Sequence, residues 1–163
     1  MDNKEKLIKT SKICKLIAKV LNVASLCALL TFTVLAIVLP LTISISGYEK
    51  GEIAIIFSML AVHALFLSGI LWNVEKIFYY VEKKETPFSN FVNKYLKKTA
   101  IFTIISSIVP SILGATLLKI FTPNSAISCQ IQLVGVVMGV VLFVLGQIFA
   151  YGCDLQKKDD ETL

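Results

Sequence analysis

Residues 94–119 read KYLKKTAIFTIISSIVPSILGATLLK, and this stretch decides the fold. Lys94, Lys97 and Lys98 close one end and Lys119 the other, and the 20 residues from Thr99 to Leu118 between them carry no ionisable group. A helix of about 20 apolar residues crosses the hydrocarbon core of a bilayer. Ten Ile, Leu, Val or Phe residues lie between Ile101 and Leu118. At about −0.3 to −0.6 kcal/mol each they contribute roughly −3 to −6 kcal/mol to insertion, with no ion opposing them. A helix in a soluble bundle keeps a polar face, and this one has none.

The pattern repeats outward. Val20–Tyr48, Ile53–Val74 and Ile120–Cys153 also lack Asp, Glu and Lys. The last is too long for one helix, and the turn-like Pro123-Asn124-Ser125 divides it. The expected spans are residues 20–46, 53–74, 99–118 and 131–152, forming one all-α, polytopic domain over residues 1–163. The first span has a lysine-rich start and small residues (Ser44, Ser46, Gly47) near its end, as a signal peptide has. Its apolar run exceeds the 7–15 residues of a signal core, so it reads as a retained span. Composition agrees: 56% of residues are hydrophobic, 17% are charged, and the mean hydropathy is +0.78. Neither an internal repeat nor a domain linker is visible.

All 16 basic residues are lysines, and they are distributed unevenly. Lys4, Lys6, Lys9, Lys12, Lys15 and Lys19 precede the first span, Lys76, Lys83, Lys84, Lys94, Lys97 and Lys98 lie in the middle loop, and Lys157 and Lys158 in the tail. Only Lys50 and Lys119 lie in the other two loops. Lysines near span ends are retained in the cytoplasm, so both termini, the 75–98 loop and the 153–163 tail are expected inside. The net charge of +5 then reads as attraction to an anionic inner leaflet, without direct nucleic-acid binding. The absence of arginine points to an AT-rich bacterial genome, and hence to a bacterial cytoplasmic membrane. The four cysteines, Cys14, Cys27, Cys129 and Cys153, show no metal or disulfide spacing.

The 75–98 loop is the most informative polar segment. Thr86-Pro87 reads as a helix start with Thr86 as N-cap. Phe88, Phe91, Val92, Tyr95 and Leu96 follow at spacings of three and four, opposite Asn90, Asn93, Lys94, Lys97 and Lys98. This predicts an amphipathic interfacial helix before the third span. Such a helix is either a connection or a docking surface for a cytoplasmic partner. Lys9, Lys12, Lys15 and Lys19 share one helical arc, as a first helix emerging among lipid headgroups would show. Small residues in every span allow close approach of helices. Gly135 and Gly139 form a GxxxG pair that serves either packing within one chain or a homo-oligomer. Pro110 lies mid-span, where it reads as a kink with Ser106 and Ser107 near enough to satisfy freed carbonyls.

No catalytic constellation, cofactor motif or metal-ligand spacing occurs, so a non-enzymatic protein is expected. His63 sits at the centre of the second span. It is either a neutral imidazole hydrogen-bonded between helices or a proton or metal site. Ser68, Ser107 and Gln147 are its expected polar partners, and Gln147 joins it as a candidate intramembrane polar site. Asn22 and Gln147 lie nearer the cytoplasmic interface.

Two segments taken together resemble a known family. One is Val74-Glu75-Lys76-Ile77-Phe78, then Thr86-Pro87-Phe88-Ser89 and Asn93-Lys94-Tyr95-Leu96; the other is the ending from Gly152-Cys153-Asp154-Leu155-Gln156 to Asp160-Glu161-Thr162-Leu163. Their order is similar to that of a bacterial family of four-span membrane proteins, the domain of unknown function 2975. The resemblance implies no catalytic residues. It implies, through members encoded beside small helix-turn-helix regulators, a membrane protein that tethers or controls a DNA-binding partner. The candidate docking residues are Pro87, Phe88, Phe91, Asn93, Tyr95, Leu96, Leu155 and Gln156, with Gly152 also on the matched pattern. The alternatives are a small oligomeric transporter or channel component, and an immunity protein against a membrane-active peptide.

Overall fold

The computed structural model describes residues 3–42, 49–84, 86–125 and 130–161, without the side chains of Asn3, Asp159 and Asp160. They form four helices: α1 (Asn3–Thr42), α2 (Lys50–Lys84), α3 (Asn90–Phe121) and α4 (Leu133–Glu161). All four are long and apolar enough to cross a membrane. The shortest, at 29 residues, is about 43 Å long against a hydrocarbon core of about 30 Å. Each helix therefore carries its polar residues past the apolar span as further helical turns. Hydroxyls inside the spans turn back on their own helices. Thr31, Thr33, Ser58, Thr103, Ser107 and Thr116 each donate to the carbonyl four residues earlier, at 2.7–2.9 Å. In hydrocarbon this is the local way to satisfy a hydroxyl.

The helix ends follow local chemistry. Glu52 reaches back to the backbone N–H of Glu49 at 2.9 Å, one half of a capping box opening α2. The cap of α3 differs from the expected Thr86-Pro87 start. Ser89 is the N-cap, extended at φ −138° and ψ 147°, and its hydroxyl accepts from Val92 N–H at 3.3 Å. Thr86 is already used in a local turn, where its hydroxyl accepts from Phe88 N–H at 3.1 Å. The helix then runs from Asn90 through Lys98 to Phe121 without a break. In place of a separate interfacial helix there is one long helix. The reason is aromatic: Tyr80 of α2 stacks on Phe91 at 4.7 Å and on Tyr95 at 5.7 Å, holding the first turns of α3 upright against α2.

Among the described residues the helices pack only on their sequence neighbours, α1 on α2, α2 on α3 and α3 on α4. The result is an antiparallel row, not a closed bundle. Polar and small residues mark each seam. Between α1 and α2, Lys15 pairs with Glu82, Ser68 donates to Asn22 Oδ1 at 2.8 Å, and Ser25 donates to Ala64 O at 3.4 Å. Between α2 and α3, Phe102 lies edge-on to Phe66 and fills the space a side chain at Gly69 would need.

The seam between α3 and α4 is built on glycine. Gly135 abuts Ser107, Gly139 abuts Ile104 and the carbonyl of Ala100, and Gly146 abuts Lys97 and Asn93. The GxxxG pair is thus spent within one chain. A homo-oligomer through Gly135 and Gly139 would require α4 to leave α3. Because Gly135 lies opposite Ser107, α4 begins beside the middle of α3. It is shifted towards the lysine-rich end, and its Gly146 is level with Lys97.

Residues 130–132 lead into that starting point without helix, and α3 receives them. Ser111 donates to Gln130 O at 2.8 Å, and Gln132 N–H donates to Ser107 O at 3.3 Å. Non-helical backbone at membrane depth is tolerated only where protein satisfies it in this way. Pro110 is fully buried at this point. Ser106 and Ser107 both donate to Thr103 O, so they do not satisfy the Ser106 carbonyl that Pro110 leaves without its usual donor.

The glycine seam gives a direct test. A Cβ on Gly139 would come within 3.1 Å of the Ala100 carbonyl, which is rigid backbone. Gly139→Leu should destabilise the detergent-solubilised protein by about 1–3 kcal/mol, read as an earlier unfolding midpoint. A Cβ on Gly146 meets the flexible Lys97 side chain at 3.2 Å and the Asn93 side chain at an ordinary contact distance of 3.5 Å, so Gly146→Ala should shift the midpoint little.

Candidate functional site

The alternation of the row gathers the start of α1, the end of α2, the start of α3 and the end of α4 at one end. Of the 16 lysines, all but Lys50 and Lys119 belong to segments that meet there. Aromatic rings line the transition to the apolar region. The Lys76 ammonium lies 5.2 Å from the Trp72 ring centre and 5.8 Å from that of Tyr79, and Lys98 lies 5.7 Å from the centre of Tyr95.

At this end a cavity of about 310 Å³ opens between the 86–89 turn, the first turn of α3 and the last turns of α4. Phe88, Phe91 and Cys153 form its apolar side; Lys84, Thr86, Ser89, Asn90, Gln156 and Lys157 form its polar side. The glycine at 152 makes the arrangement possible. A Cβ there would stand 2.6 Å from the Phe88 ring, which also contacts Phe149 at 5.5 Å between centroids. The chemistry is that of an anion beside an apolar group: two ammonium side chains, several hydroxyl and amide groups, and an aromatic floor.

Three of the eight docking candidates converge here, namely Phe88, Phe91 and Gln156, with Pro87 in the turn between Thr86 and Phe88. Phe88 and Phe91 keep 43% and 47% of their surface exposed despite their ring contacts, which leaves them free to touch a partner. Leu155 is also exposed. The others serve the fold. Tyr95 lies on Tyr80, Leu96 is half-buried, and Asn93 faces Gly146. The Asn93 Oδ1 is buried with no hydrogen-bond partner among the described residues. Sequence reading missed Lys84, Ser89, Cys153 and Lys157 as members of one cavity. Gly152 was the available signal, since a helical glycine marks a close approach.

The second candidate place lies at the level of His63. Its Nδ1 is 2.9 Å from Met59 O, a contact in which the neutral ring is protonated at Nδ1 and accepts at Nε2. Gln132 Nε2 lies 3.4 Å from that Nε2. Gln147 is elsewhere. It sits on α4 at the lysine-rich end, and α4 does not pack on α2. The expected pairing of His63 with Gln147 is therefore corrected to His63 with Gln132. Ser68 is bonded to Asn22 and Ser107 to Thr103, so neither serves His63. Among the described residues no three His, Cys, Asp or Glu side chains converge as metal ligands. Cys14, Cys27 and Cys153 are free thiols, and Cys129 lies outside the described residues.

The segments that build the lysine-end cavity are the same ones that carried the family resemblance, and comparison with known families agrees. The chain belongs to the family described as "Protein of unknown function (DUF2975)". The family model matches residues 52–163, which takes in almost all of α2 and the whole of α3 and α4. No curated protein and no solved structure matches the chain. This DUF2975 member carries two candidate places, the lysine-end cavity and the level of His63.

Cys153 is 5% exposed and lies next to Gly152, against which Phe88 packs. In a chain whose other cysteines are serine, Phe88→Ala should speed maleimide labelling of Cys153 several-fold. An unchanged rate would show that the ring does not shield the thiol.

Proposed function

We propose that this membrane protein is a non-enzymatic anchor or sensor of the bacterial cell membrane, with its lysine-rich end in the cytoplasm, where it docks a cytoplasmic regulator. The observation that carries the reading is the cavity that joins Phe88 and Phe91 to Gln156 between Lys84 and Lys157. Segments some 65 residues apart in the chain meet there, and neither could form the surface alone. Its charge suits a partner that presents an acidic side chain beside an apolar one. Exposed aromatic groups near the centre of a contact supply most of its energy. The surrounding lysines favour approach of an acidic partner and of an anionic leaflet alike. A small helix-turn-helix regulator is the partner to which the family resemblance points. Cytoplasmic placement rests on the lysine asymmetry.

A second reading draws on His63 and Gln132, which place polar groups at membrane depth as a transporter would. A row of four helices encloses no pore, so this reading requires an oligomer formed through surfaces other than Gly135 and Gly139. Proton or solute flux into protein-loaded liposomes that disappears in His63→Ala would favour it over docking.

Two experiments test the main proposal. Impermeant labelling of intact cells should leave a cysteine at position 83 unmodified until the membrane is opened; modification from outside would invert the topology. Crosslinking in native membranes should then capture a cytoplasmic protein with the wild type and lose it with Phe91→Asp and with Lys157→Glu. Capture of the same proteins by all three would remove docking at this cavity.

A further inference from the structure

Helices α1 and α3 both pack on α2 but not on each other. The gap they leave holds a cavity of about 330 Å³ beside the middle of α2. Its size falls in the range of small-molecule sites, which are mostly apolar with a few placed polar groups. Ala28 and Phe32 of α1 and Leu60, Leu67 and Ile70 of α2 give the apolar walls. His63, Ser106 and Gln132 give the polar part, with Gln132 reaching in from the non-helical segment just before α4.

The hydrogen-bonding state of that polar part is specific. In the neutral imidazole, Nδ1 donates to Met59 O and Nε2 accepts. Gln132 stands 3.4 Å away, at the long limit for a hydrogen bond. Among the described residues this is the one hydrogen bond of the Gln132 side chain. Ser25, also at the cavity, spends its hydroxyl on Ala64 O, and Ser106 spends its own on Thr103 O. No Lys, Asp or Glu lines the space, so a charged ligand head would be buried without a counter-ion, at large cost. The ligand must be neutral. A hydroxyl is the group that fits between the two side chains. It donates to His63 Nε2 and accepts from the Gln132 amide, replacing one long bond with two. An ether or a carbonyl has no proton for His63. A plain alkyl chain leaves both groups as they are.

We propose that this cavity is a binding site for a neutral, hydroxyl-bearing amphiphile, an alcohol or phenol of medium size, which enters from the bilayer through the gap between α1 and α3. The site does not rest on the docking reading, since no residue is shared between the two cavities.

The test uses the full chain in vesicles of phosphatidylethanolamine and phosphatidylglycerol, with a diazirine-bearing octanol as photoprobe and peptide mapping of the adducts. Saturable labelling is expected on residues 28–32 and 60–67, with competition by 1-octanol. The methyl ether of similar length should compete about tenfold less well, the cost of one lost hydrogen bond. His63→Leu should weaken octanol competition by a similar factor. Ala28→Phe and Leu60→Trp, which fill the space from different helices, should each remove the saturable part. Helicity and thermal midpoint are measured for every variant, and agreement between two independent fillings separates loss of the site from loss of the fold. Labelling that never saturates would overturn the proposal. So would saturable labelling that octane or the ether displaces as well as octanol does, since that outcome assigns the cavity to lipid chains.

Discussion

Hydrocarbon offers no hydrogen bonds and does not solvate an ammonium group, and the rest of this structure follows from that constraint. Backbone groups crossing the membrane must be satisfied within their own segment, which leaves helices as the answer for four uncharged runs. Hydroxyls in those runs bond to their own turns, as Thr103 and Ser107 do. Lysines collect where the helices leave the apolar region, and antiparallel alternation brings most of them to a single end. One stretch departs from the helical solution. Residues 130–132 enter beside the middle of α3, and there Ser111 Oγ and Ser107 O meet their backbone groups. This happens next to Pro110, where α3 already lacks one N–H donor of its own.

The spans were legible in the sequence because length and charge decide them residue by residue. So was the gathering of lysines, because it needs only the order of four segments. What escaped depended on depth and on partners. The GxxxG spacing of Gly135 and Gly139 announces close approach, but not which helix approaches, and the answer is α3. Helix α4 begins at Leu133. Its position halfway down α3 was invisible, because no local pattern encodes the stagger between two helices. The partner of His63 was missed for the same reason. Gln132 lies 69 residues away in the chain, and it reaches His63 only because the stagger carries it to that depth. Thr86 and Ser89 were equally good caps by composition. The local turn used by Thr86 left the role to Ser89.

The row arrangement also explains where polar groups had to be spent. Lipid tails compete on equal terms with apolar side chains, so burial alone does little to hold one helix against another in a membrane. Among the described residues α1 packs only on α2, and it is fixed there at three depths: by Lys15 with Glu82, by Asn22 with Ser68 and by Ser25 with Ala64. Helix α4 is fixed by glycines that let its backbone settle on α3. Between them, α2 and α3 are joined by rings, Phe66 with Phe102 at the apolar level and Tyr80 with Phe91 and Tyr95 at the polar end. Each of the two cavities is lined by both of these helices, one beside His63 and the other beside Lys84. A sensor needs its input and output sites to share elements whose arrangement both can bias. In this chain α2 and α3 are the helices that both cavities share, and rings join them at two levels.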